Sequence, residues 1–207
     1  MSAQDALESL FRQGLVWRGG ESAAAPARAA LPSGFERLDA VAGGWPTAAL
    51  TELISDAGLG LSLLVPLMAR LARGDRWLVV VDPPWRLHAP ALAARGVAPE
   101  RLLQVRGGAA ARAAWAMEQL LRAGTCALVL GWAGDLAPVH LRRLQLAAGE
   151  GGCPAVLFRP AGAAAQPSPA ALRLRLRARP AGLEVEVLKR RHGRAGGRVL
   201  IPRARLA

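Results

Sequence analysis

The chain has 207 residues, 52% of them hydrophobic, which is enough for one well-buried α/β core and too little for two full domains. Its formal net charge of +12 invites a nucleic-acid reading, but it comes almost wholly from arginine, with Lys189 the only lysine, a pattern that a GC-rich coding sequence also produces without any binding role. No run of about 18 uncharged apolar residues occurs, and Asp5, Glu8 and Arg12 stand where a signal peptide needs a basic end before an apolar stretch, so no membrane span and a cytoplasmic protein are expected.

In chain order, residues 2–18 place Leu7, Leu10, Phe11 and Leu15 at helical spacing, which predicts a short amphipathic helix that ends near Trp17. An Ala/Pro-rich linker follows to residue 30, and a single domain is expected over 31–207. The apolar stripe of this helical arm needs a surface, either on its own domain or on a neighbouring molecule. From Leu31 the signals alternate as βα units: strands over 50–54, 77–81, 102–105, 127–130 and 155–158, and helices over 61–73, 88–95, 110–123 and 138–148. Strands that are apolar almost throughout predict a mainly parallel sheet covered on both faces.

The last third changes period. Residues 172–178 alternate Leu-Arg-Leu-Arg-Leu-Arg and residues 183–187 alternate with Glu184 and Glu186 on the polar side, which predicts a basic β-hairpin. With Ala181 and Gly182 as its loop, Arg179 would face Glu184 and Arg177 would face Glu186. The far end would then carry unpaired positive charge at Arg173, Arg175, Lys189, Arg190, Arg191 and Arg194, a candidate contact for DNA or an acidic partner. From Arg173 onward the chain supplies nine of the twelve net charges.

Cys126 and Cys153 each adjoin an apolar run and read as small core residues. His88, His140 and His192 are scattered, so neither a metal site nor a cofactor is expected. Of the six tryptophans, Trp45, Trp77, Trp115 and Trp132 fall at positions that suggest core packing, whereas Trp17 and Trp85 lie on a tail and a loop where a partner would reach them.

One motif is nearly complete. Ser55-Asp56-Ala57-Gly58-Leu59-Gly60-Leu61-Ser62 follows the first strand and opens onto a helix, the context of a phosphate-binding loop. Leu61 stands where the lysine belongs and Ser55 where the first glycine belongs; only Gly60 and Ser62 fit. An apolar side chain does not offset triphosphate charge, so a degenerate nucleotide site and no ATPase activity are expected.

Leu31-Pro32-Ser33-Gly34-Phe35-Glu36-Arg37-Leu38-Asp39, then Gly43-Gly44-Trp45-Pro46 and Leu50-Thr51-Glu52-Leu53-Ile54, resemble the entry of the RecA core. The likeness continues collinearly to the basic hairpin. With the short length, Val16-Trp17-Arg18-Gly19 and Leu188-Lys189-Arg190-Arg191, the chain most resembles the ImuA family of RecA-like translesion proteins. That resemblance implies a RecA-like fold in a non-catalytic, SOS-inducible accessory protein of mutagenic DNA repair, acting with ImuB and an error-prone C-family polymerase. RecA, or a second copy engaged through the N-terminal helix, would be a further partner, with weak DNA binding. Against RecA, the water-activating glutamate falls near Pro84, the strand-end aspartate near Gly131 or Trp132, and the two channel loops, 134–138 and 161–169, carry no basic residue. The alternative is a cell-division blocker of the SulA type, also RecA-like without a working phosphate loop, which would bind a tubulin-like GTPase.

Overall fold

The computed structural model describes residues 30–56, 59–191, 193 and 195–206. The expected N-terminal helix, with Leu7, Leu10, Phe11, Leu15 and Trp17, lies outside the described residues, as do Gly58 and Arg194. The elements are α1 (Glu36–Ala42), β1 (Leu50–Ile54), α2 (Leu61–Leu71), β2 (Trp77–Val81), α3 (Ala89–Ala93), β3 (Leu102–Val105), α4 (Ala110–Arg122), β4 (Cys126–Trp132), α5 (Pro138–Glu150), β5 (Ala155–Arg159), β6 (Leu172–Arg179), β7 (Gly182–Arg190) and β8 (Arg198–Pro202). Short 3-10 turns join them at Pro99–Arg101, Ala161–Ala165 and Arg203–Arg205.

The strands form one sheet in the order β3-β2-β4-β5-β1-β6-β7-β8. The six from β3 to β6 are parallel, and β7 and β8 add an antiparallel extension.

Alternation along each strand builds two cores, because successive side chains point to opposite faces. Leu78 and Val80 of β2, Leu128 and Leu130 of β4, and Val156 and Phe158 of β5 face α1, α2 and α3. Val79 and Val81, Val129, and Ala155 and Leu157 face α4 and α5. Strands buried on both sides have no polar face to show, which is why they are mostly apolar, Thr51 and Glu52 of β1 and Arg159 of β5 apart. On the extension only one face is covered: Leu174, Leu176, Leu183, Val185 and Val187 join the first core, and the arginines and glutamates between them lie opposite it.

Cys126 and Cys153 are buried free thiols in the second core. Burial raises the pKa of both, that of Cys153 to about 12. Neither thiol is expected to react with a thiol-modifying reagent at pH 8 until the protein unfolds, so labelling in native buffer should match the rate of global opening. His88 caps α3, its Nδ1 accepting a hydrogen bond from the Ala91 amide at 3.3 Å.

Two expectations about tryptophans need correction. Trp115 is 60% exposed and Trp77 36%, against 2% for Trp45. The buried side of α4 is defined by Ala113, Ala114, Met117, Glu118 and Leu121, and Trp115 falls outside that arc.

Candidate functional site

In an open parallel sheet the ends of the strands next to the first βα loop are where ligands bind, so the loop from Ser55 to Ser62 is the place to look for a site. Ser55 is held inward: its amide donates to Arg159 O at 3.0 Å, and its hydroxyl reaches Leu59 O at 3.5 Å. Gly60 caps α2 with φ +119°, a conformation that side chains disfavour. A Cβ added there would overlap Leu176 Cδ1, and it would lie 3.3 Å from Leu53 Cδ1 and 3.6 Å from Phe158. Leu59 and Leu61 pack against the same apolar cluster. The glycine therefore serves a close approach to hydrocarbon, and Ser62 opens a helix whose N-terminal loop is backed by side chains with no charge.

Aromatic rings fill the neighbouring strand ends. Trp132, at the end of β4, stacks on Phe158 of β5 with centroids 3.9 Å apart and planes 4° from parallel. Trp85 meets Trp132 edge-on at 5.4 Å and is itself 42% exposed. Asp82, which precedes the Pro83-Pro84 turn, adopts φ +48° and is committed to structure: its carboxylate accepts the amides of Gly107 at 2.7 Å and Gly108 at 3.0 Å. Among the described residues of the loop from Ser55 to Ser62 none is a lysine or arginine, and rings and aliphatic groups fill the strand ends beside it.

Behind it lies an ion network that the sequence reading missed. Glu52, in the middle of β1 and fully buried, accepts from Arg159 Nη1 at 3.2 Å and from Arg173 Nε at 2.6 Å. Arg159, also fully buried, reaches Asp135 Oδ1 at 2.9 Å and Gln166 Oε1 at 2.8 Å. Arg173 donates its other end to Ala163 O at 2.6 Å. The available signal was a glutamate within the otherwise apolar strand 50–54; its partners are 107 and 121 residues away.

Among the described residues, most of the basic end expected of the hairpin is engaged within the fold, and Arg194 lies outside them. The loop is Pro180-Ala181, with Arg179 opposite Gly182, so the pairs from Leu174 to Arg179 slide two positions: Arg177 faces Glu184 and Arg175 faces Glu186, while a register shift at Arg173/Leu174 sets Arg173 opposite Lys189. A slide of two keeps each side chain on its face, and the ion pairs form one step along. Glu186 binds Arg175 and Arg198, and Glu184 binds Arg177 and Arg179. Hydrogen bonds from Arg175 hold the Glu186 carboxyl below the usual range, and Arg179 does the same for Glu184. Arg173 is buried on Glu52. Lys189 donates to Ser168 O at 2.7 Å, and burial, then Arg173 and Arg191, lower its pKa. Arg190 donates to Val41 O at 2.9 Å, which ties the hairpin to α1. Of the group, Arg191 remains as an exposed side chain among the described residues.

No helix among the described residues is long and apolar enough to cross a membrane. Among them, too, no group of three or more His, Cys, Asp or Glu is placed to hold a metal ion.

Compared with known proteins, residues 51–154, from β1 to beyond α5, match the family model described as "Cell division inhibitor SulA". A cell division inhibitor SulA of Edwardsiella piscicida is 34% identical over 121 residues, covering 56% of this chain and 72% of that protein. One from Yersinia pestis (strain Pestoides F) is 33% identical over 98 residues, covering 47% of this chain and 58% of that protein, so the chain spans under two thirds of the Yersinia relative. The crystal structure of SulA from Pseudomonas aeruginosa aligns at 28% identity with a TM-score of 0.46, covering 55% of this chain and 98% of that one.

The family match and the Edwardsiella relative overturn the translesion expectation. The ImuA-type role in DNA repair and the partners it implied, ImuB, an error-prone polymerase, RecA and DNA, do not stand. The entry motif and the phosphate loop without its lysine did not separate the two readings; the match over residues 51–154 does.

Proposed function

Because this chain belongs to the SulA family of cell division inhibitors, we propose that it arrests division by binding a tubulin-like GTPase as a protein ligand in the cytoplasm. The observation that carries this reading is the family match itself, which spans the strands and helices from β1 to α5. We read the core as RecA-like: the loop from Ser55 to Ser62 sits between β1 and α2 as a phosphate loop would. Inhibition is then a matter of affinity and not of turnover, since Leu61 supplies no charge and Gly60 is closed over by Leu176 and Leu53.

Production of the chain in a bacterial host should give filamentous cells with their division GTPase dispersed, visible by fluorescence microscopy. Cells that keep dividing at normal length while the soluble protein accumulates would overturn the reading. Calorimetry with ATP and magnesium should give no binding heat. Leu61→Lys should not restore it, because one added cation leaves the apolar packing around Gly60 in place.

A further inference from the structure

The three most exposed large apolar side chains among the described residues are Trp115 and Leu146, each 60% exposed, and Val139 at 56%. They lie on the neighbouring helices α4 and α5. On α5, Val139, Arg142 and Leu146 follow at i, i+3 and i+7, one exposed face. On α4, Arg112 and Trp115 are three apart and both exposed. The two faces are held in register by Glu118, which is almost buried between the helices and binds Arg143 at 2.8 Å and Arg122 at 3.3 Å, with Arg122 also reaching Glu150 at 3.6 Å. Trp115 lies one turn before Glu118, Val139 one turn before Arg143, and Leu146 one turn after it, so the three apolar groups line the outer side of one seam.

The charge around that seam is one-sided. Glu118 and Glu150 are already engaged by Arg122 and Arg143. Arg112 and Arg142 are exposed and, among the described residues, have no acidic partner. An apolar centre with an aromatic anchor and an arginine rim is the composition of a protein-binding patch. Two unpaired cations beside branched aliphatic groups make a poor groove for a nucleic acid, which needs a track of phosphate contacts and stacking rings.

We infer that the outer seam of α4 and α5, centred on Trp115, Val139 and Leu146 and rimmed by Arg112 and Arg142, is the surface that docks the target GTPase, which must present there an apolar patch bordered by carboxylates. This rests on the inhibitor reading above and adds to it the surface and the chemistry of the partner.

The test measures binding of the purified chain to a purified bacterial tubulin-like division GTPase at two salt concentrations, with unfolding midpoints and light-scattering mass taken alongside. Trp115→Ala with Leu146→Ala should weaken binding by roughly tenfold or more without lowering the unfolding midpoint, as expected for a truncated exposed anchor. Arg142→Glu should weaken it several-fold and flatten its salt dependence. Leu200→Ala, on the far edge strand, should bind within about twofold of the parent. If the parent binds and the seam variants bind equally well, the surface is wrong and the inhibitor reading stands. If the seam variants change the chain's own mass and leave GTPase binding intact, the seam is a contact between copies and the inference falls. If the parent does not bind, the inhibitor reading fails and the surface fails with it.

Discussion

Glu52→Ala is expected to destabilise the fold by about 3–5 kcal/mol, the usual cost of removing one partner from a buried ion pair. For a chain of this size that is a fall in Tm of roughly 6–20 °C, readable by calorimetry. Glu52 is fully buried, and so is the guanidinium of Arg159, while Arg173 keeps only a sliver of exposure. Taking the carboxylate away leaves two cations facing one another in the interior. The remaining acceptors are Asp135, which is largely exposed, the Gln166 amide and the Ala163 carbonyl. None of these restores the missing charge for Arg173. The loss comes from the stranded arginines and not from any large net gain of the intact network, and a second variant shows the difference. Glu52→Leu combined with Arg159→Met and Arg173→Met removes all three charges at similar volume and should be markedly less destabilised than Glu52→Ala alone. A triple variant as unstable as the single one would mean that the network adds stability outright.

Gly60→Ala carries the second large effect, about 2–4 kcal/mol, seen as a shift of the urea midpoint at unchanged slope. Two costs add. The backbone at φ +119° strains any residue with a side chain, and the new methyl would enter the space of Leu176 Cδ1 and crowd Leu53. Leu176 is buried on the hairpin strand β6, so it cannot swing aside without opening the junction between the hairpin and β1. The companion Leu176→Ala with Gly60→Ala should recover part of the loss, because the two changes meet at one point. Lack of any recovery would assign the cost to the backbone alone. Recovery would mean that the glycine that reads as a relic of phosphate binding is kept in place at least in part by packing.

Much of the fold was legible because it rests on period. Apolar runs of about five residues separated by amphipathic stretches gave the parallel strands and their helices, and the bounds differ only at the ends, as where β4 extends to Cys126–Trp132 beyond the expected 127–130. The change to strict alternation after residue 172 placed the two hairpin strands. The absence of a lysine at position 61 was equally plain, since it needs no partner to be read. Choosing between the two families that the chain resembled was beyond these local signals, and the choice made from them was the wrong one.

By itself, then, the sequence determined the type of most elements, though not the edge strand β8, and a loop with leucine where a phosphate loop carries lysine. Each of these depends on neighbours a few residues apart. The tertiary structure decided that Arg173 lies buried on Glu52, that the hairpin pairs Arg175 with Glu186, and that Trp115 stands on an outer seam with Val139 and Leu146. These rest on strand order, register and helix rotation. Such quantities are set by how whole elements fit together, so an arginine that alternates like a surface residue ends in the core when the next strand brings a carboxylate to meet it.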